Sequence, residues 1–136
     1  MARDIFHNSV RRALEKEGWT ITDDPYEISA GNVDMLIDLG AENLLAAELQ
    51  GQYIAVEIKS FTRPSAISEF HTAHGQYLNY LYALEENSDQ RTLYLAVPRK
   101  SYETFFQLEF IQKTIQRSQI RLVVYDPAEE EIVKWL

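Results

Sequence analysis

Apolar and polar positions along the chain follow two periods, and the switches between them predict a helix, a run of strands, then helices alternating with strands. Over residues 2–17, Ile5, Phe6, Val10, Ala13 and Leu14 share one stripe at helical spacing, and Gly18 supplies the stop. Residues 19–22 read as a strand broken by Asp23, Asp24 and Pro25. A polar loop to Asn32 then leads into a strand over 33–39 that carries Asp34 and Asp38. Residues 44–49 and 52–60 predict a hairpin turning at Gln50 and Gly51. Ser65 is placed to cap a helix that runs to Glu85 or Glu86 and buries Ile67, Phe70, Ala73, Tyr77, Leu78, Leu81 and Leu84. Residues 91–97 are apolar on both faces, the mark of a central strand, and Pro98 stops it. A helical region over 102–117, broken near 106–108, precedes strands at 119–125 and 131–135. The pattern predicts one α/β domain over residues 1–136, with a mixed central β-sheet flanked by helices.

Composition sharpens this picture at a few points. With 136 residues, 46% hydrophobic and 12% aromatic, the chain can bury one sizeable core. It has no cysteine, which excludes disulfides, thiolate catalysis and zinc-thiolate sites. Charges near the N-terminus and the lack of any apolar run of ~20 residues predict a soluble, cytoplasmic protein with no membrane partner. The net charge of −8 disfavours strong solitary binding to nucleic acid, which depends on lysine and arginine releasing counterions. The acid excess is local: residues 1–58 carry 4 Lys/Arg against 11 Asp/Glu, and residues 59–136 carry 9 against 10. Such a segment attracts phosphate only with a divalent cation in it.

The candidate chemistry falls in that acidic half. In the strand that ends IAVEIKS, Glu57 and Lys59 lie two apart and share a face, while Ile54, Val56 and Ile58 pack on the other. If the strand holding Asp38 joins the same sheet, its carboxylate comes close to Glu57. Asp38, Glu57 and the Ile58 carbonyl could then bind Mg2+ or Mn2+, with Lys59 activating a water or stabilising charge on a phosphate. The bland alternative is a pair of solvated edge-strand residues, since an E-x-K tripeptide alone is common. Asp34, four residues before Asp38 and on the same face, is the alternative first acid. His71 and His74 read as packing or helix-surface residues. Arg63, Arg91, Arg99, Lys100, Arg117 and Arg121 read as scattered surface charges or as a phosphate track.

An acid on one strand with E-x-K on the next resembles the PD-(D/E)xK nuclease superfamily, which implies a restriction-endonuclease-like fold and a metal-dependent nuclease. Ile37 stands where that motif often has proline. Gln76 to Tyr80, QYLNY, is similar to the Q-x-x-x-Y motif of the RecB-type branch, which implies that Gln76 and Tyr80 support the site; a boundary tyrosine bonded to a nearby glutamine is the structural alternative. The same branch often places a helix-borne acid or histidine at the site, which makes His7 a candidate. Along nearly the whole chain, ARDIFHNSVRRALEKEGW, IAVEIKSF, HGQYLNYLYAL, RTLYLAVP and LVVYDPAEEEIVKW resemble the XisH family, named for controlling excision of the fdxN DNA element. That resemblance implies a role in DNA rearrangement beside a site-specific recombinase and a XisI-type companion protein. Two function classes therefore stand: a metal-dependent nuclease or nuclease-derived factor acting on DNA, and a catalytically silent module that binds the companion or the recombinase. A nuclease toxin or defence component is a weaker third reading. Nuclease-like folds often act as dimers, so a homodimer is compatible, although no stripe specifies its interface.

Overall fold

The computed structural model describes residues 2–34 and 44–136. Over these the chain forms α1 (Ala2–Lys16), β1 (Thr20–Asp23), β2 (Ser29–Ala30), β3 (Val33–Asp34), β4 (Leu44–Leu49), β5 (Gln52–Ile58), α2 (Ala66–Glu86) and β6 (Thr92–Pro98). After β6 come α3 (Arg99–Glu103), a 3-10 turn at Phe105–Gln107, α4 (Glu109–Ser118), β7 (Leu122–Asp126) and β8 (Glu131–Trp135). Six strands pair into one sheet in the order β1-β4-β5-β6-β7-β8; β5, β6 and β7 are parallel, while β1, β4 and β8 run antiparallel to their neighbours. This is the mixed α/β architecture that the hydrophobic pattern predicts.

Two apolar clusters cover the two faces of the sheet. On one, Val10 and Leu14 of α1 pack with Leu45, Ala47, Ile54, Val56 and Ile58. On the other, Phe70, Ala73, Tyr77 and Tyr80 of α2 pack with Leu44, Ala55, Leu93, Leu95 and Ile111. Strand β6 is buried on both sides, which explains its unbroken apolar run. The crossover β5-α2-β6 links parallel neighbours and sets α2 on the face of the sheet that carries Ala55 of β5 and Leu93, Leu95 and Val97 of β6.

Local chemistry fixes the ends of the elements. Gly18, at φ +96, closes α1 with Trp19 N donating to Leu14 O. Gln50 and Gly51, both at positive φ, form the two-residue turn joining β4 to β5. Ser65 caps α2, its side chain accepting from Ser68 N at 3.2 Å.

Some expectations shift. Ile5 is 66% exposed and Ile67 42% exposed, so neither belongs to the buried stripe assigned to it, whereas Tyr80 does. The segment read as a broken helix over 102–117 is three pieces, interrupted at Thr104 and Leu108, whose backbone angles leave the helical region. The loop read between Asp23 and Asn32 contains β2, which pairs with β3 in a separate two-stranded ribbon that sets Ser29 opposite Asp34. The rest of the predicted 33–39 strand, Asp38 included, lies outside the described residues.

Candidate active site

The last residues of β5 carry the chemistry because the sheet immobilises their backbone. Lys59 N donates to Ala96 O at 3.0 Å, and Lys59 O accepts from the Tyr125 hydroxyl at 2.9 Å, so β6 and β7 both hold this residue. Just beyond it, Phe61 takes a left-handed backbone, φ +52. Its amide donates to Glu69 Oε2 at 2.7 Å and that of Arg63 to Glu69 Oε1 at 3.3 Å. A buried carboxylate on the first turn of α2 thus accepts the two main-chain donors that the departing loop would otherwise strand. The Phe61 ring packs on Phe105 and Phe106, which anchors the loop from its other side.

Alternation along β5 turns Glu57 toward α2, between Leu44 and Leu95 of the neighbouring strands. Glu57 is 1% exposed, and neither of its carboxylate oxygens makes a hydrogen bond among the described residues. The Lys59 ammonium lies 3.7 Å from Glu57 Oε2 and donates to Gln76 Oε1 at 2.7 Å. Burial pushes the Glu57 carboxyl up to about 8 despite the opposing pull of Lys59. A separation of 3.7 Å is ion-pair range but too long for the short charge-assisted bond that would hold the carboxylate ionised, so desolvation wins. The product is a dry, mostly protonated acid at neutral pH beside an oriented lysine. A cation reaching it would displace the proton.

The likeness to known proteins extends over nearly the whole chain. The family model described as XisH protein matches residues 1–133. The chain belongs to the XisH family. An XisH family protein from Nostoc punctiforme PCC 73102, known from its crystal structure, is 50% identical with a TM-score of 0.90, the match covering 98% of this chain and 99% of that one. A fdxN element excision controlling factor protein from Anabaena variabilis is 52% identical with a TM-score of 0.90, covering 97% and 98% respectively. No curated protein matches.

Within this XisH-family fold the sequence-derived candidates divide. Glu57, Lys59 and Gln76 come together, and Tyr80, one helical turn beyond Gln76, is buried at 1% exposure. Ile58 is buried with its side chain on the α1 face. Asp34 is an exposed residue of β3. His7 lies elsewhere: α1 covers the opposite face of the sheet, and His7 Nε2 meets both oxygens of Asp24 at 2.7 Å, where Arg11 also bonds at 2.7 Å. His74 stacks on Phe70 and bonds Ser118 at 2.9 Å, in keeping with a packing role. Arg91 holds the main-chain carbonyls of Ala47 and Ile54 under the Tyr26 ring, and Arg99 pairs with Glu103 and Asp126. No helix of the described residues is long and apolar enough to cross a membrane.

Sequence reasoning missed Glu69 and Tyr125, which fix the main chain around Lys59. Glu69 had a visible signal, an acid four residues after a capping serine, but that signal is equally satisfied by a solvated first-turn glutamate. Tyr125 had none, because a tyrosine ending an apolar strand reads as core.

Proposed function

We propose that this chain is a controlling factor for excision of a DNA element, working through a nuclease or nuclease-derived site of PD-(D/E)xK type on a restriction-endonuclease-like fold. The observation that carries the reading is the fully buried, unbonded Glu57 carboxylate 3.7 Å from the Lys59 ammonium. The Anabaena variabilis relative, an excision controlling factor at 52% identity over nearly all of both chains, supplies the biological context.

The residues fit a hard divalent cation, because two orphaned carboxylate oxygens in a dry setting are the donor type that Mg2+ or Mn2+ takes. Glu57, the Ile58 carbonyl and Asp38 would hold it, although Asp38 lies outside the described residues, and among those residues no group of three or more His, Asp or Glu could hold a metal. When bound, the ion would acidify water and stabilise charge on a phosphodiester. The chain's own groups do the rest. Gln76 Oε1 accepts a hydrogen bond from Lys59 Nζ and so fixes the direction of the ammonium, leaving its other donors to meet a phosphate oxygen or an attacking water. The Glu69 and Tyr125 anchors keep the Lys59 backbone still while it does so. Tyr80, buried one helical turn beyond Gln76, would wall the site on the α2 side. In this scheme His7 acts only through a rearrangement that frees it from Asp24.

Cleavage of supercoiled, single-stranded and branched DNA with Mg2+ or Mn2+, by the wild type and by Lys59→Ala, tests the proposal. Activity in the wild type that falls about a hundredfold or more in the variant is expected, as for loss of a group acting on transition-state charge; equal background in both removes catalysis.

The charge of −8 favours a second reading, a module that engages a XisI-type companion or the recombinase, because a protein partner can be basic and DNA cannot. Excision control retained by an Asp38→Ala/Glu57→Ala double variant that still co-purifies with the companion would decide for it.

A further inference from the structure

A second concave site lies at the opposite end of the sheet, on the α1 face. The turn after α1, the β4–β5 hairpin, the first residues of β6 and the end of β8 enclose a cleft of about 560 Å³. Its wall is aromatic: Trp135 lies 5.8 Å from Trp19 and 4.9 Å, edge to face, from Tyr94, by ring centroids. Glu17 stands beside these rings, its Oε1 accepting from Trp135 Nε1 at 3.1 Å. Gln52, Gln90 and Thr92 add neutral polar groups. Glu17 is the one charged residue of the lining, which contains no lysine or arginine. Arg91, next in sequence to the lining residues Gln90 and Thr92, bonds the Ala47 and Ile54 carbonyls and lies over the Tyr26 and Tyr53 rings.

Aromatic faces attract cations through the ring quadrupole, and a fixed carboxylate beside them adds Coulomb attraction. The same chemistry repels phosphate, and seven of the eleven lining residues come from residues 1–58, the half of the chain that carries 11 acidic against 4 basic residues. Planar guanidinium suits the site better than ammonium, since it can stack on an indole or phenol while its edge donors reach Glu17 and the glutamine and threonine oxygens. The geometry points to a binding cleft for an arginine side chain, presented on a basic segment of a protein partner.

This site is independent of the one proposed for DNA. Gln52 and Glu57 are five residues apart on β5, ~17 Å at ~3.3 Å per residue, and they project from opposite faces of the sheet. Occupation of one leaves the other open.

Trp19 and Trp135 are the chain's two tryptophans, so tryptophan emission, excited selectively over tyrosine, reports on this cleft. Titration of the full chain with N-acetyl-arginine methylamide is expected to change that emission saturably and to shift the indole N–H resonance of Trp135. The uncharged citrulline analogue should bind about fivefold more weakly, and Glu17→Gln, which keeps an acceptor for Trp135, should weaken arginine about threefold and leave citrulline unchanged. Tyr94→Leu, checked for folding by circular dichroism, should cut the preference for arginine over citrulline from about fivefold to the roughly threefold that Glu17 supplies. Lys59→Ala should bind like the wild type, which separates this result from the fate of the cleavage experiment. Equal binding of the two analogues, a non-saturating response, or a preference for AMP would each overturn the assignment.

Discussion

Replacing Glu57 by glutamine removes a charge from the driest acidic position described in the molecule while changing its shape little, and the effect on stability should depend on pH with a definite sign. The folded carboxyl keeps its proton up to about 8, and the unfolded one releases it near 4.5. Between these values the folded state binds more protons, so stability falls as pH rises; below 4.5 both states are protonated and the difference vanishes. From these two values the penalty is about 1 kcal/mol at pH 5, about 3 kcal/mol at pH 7 and about 4 kcal/mol at pH 8. At 1% exposure solvent hardly screens this group. Glutamine has no such titration, so Glu57→Gln should gain on the wild type by about 3 kcal/mol between pH 5 and pH 8. Urea unfolding of both proteins at half-unit pH intervals, in chelator to keep divalent cations away, measures this directly. All other acids contribute equally to both curves, and the difference between them isolates residue 57. Parallel curves from pH 5 to 8 would refute the reasoning, because they would mean that Lys59 at 3.7 Å keeps the carboxylate ionised against its burial.

Three further outcomes follow from the same geometry. If Glu57 helps hold a divalent cation, millimolar Mn2+ should raise the melting temperature of the wild type at pH 8, do so much less at pH 5.5 where the proton competes, and leave Glu57→Gln unmoved; calorimetry or a thermal-shift assay reads all three. Glu69→Gln halves the acceptors available to the Phe61 and Arg63 amides and should cost about 2 kcal/mol in denaturant unfolding, with faster amide exchange confined to residues 60–64. Gln119, which ends α4 with a left-handed backbone at φ 53 and is exposed, should gain about 0.5 to 1 kcal/mol on change to glycine, seen as a higher urea midpoint with an unchanged slope.

The fold was readable wherever burial imposes a period. Strand β6 announced its central place because both its faces are covered, and the β4–β5 hairpin because its turn needs two positive φ angles that Gln50-Gly51 accommodates. Errors fell where tertiary contacts override a local pattern. Ile5 and Ile67 have helical spacing but sit where their helices pass the edge of the core, and β2 is too short to alternate. At the site, Glu57 and Lys59 were legible because strand alternation fixes a common face, and Gln76 because resemblance named it. The pairing of His7 with Asp24 and Arg11 was not, since it joins residues 17 positions apart whose only sequence signal is their charge. The same holds for the aromatic cleft, which gathers Trp19, Tyr94 and Trp135 from three distant stretches.

A buried acid without a hydrogen bond is a poor solution for stability, and its surroundings show how poor. Leu44 and Leu95 flank Glu57 on the α2 face, so leucine or methionine would fit the position by volume and contribute dispersion and hydrophobic energy in place of a desolvation cost of several kcal/mol. Two buried groups nearby meet opposite treatment: Glu69 has two main-chain donors, and the Tyr77 hydroxyl both donates to Leu93 O and accepts from Arg121 N. The fold therefore can satisfy a buried polar group at this depth and does so at two positions of α2. What distinguishes Glu57 is that its oxygens are held bare next to a lysine whose own direction is set by Gln76. A carboxylate in that condition gains most from whatever brings it a positive charge, and the preorganised desolvation that weakens the empty fold is what makes that gain large.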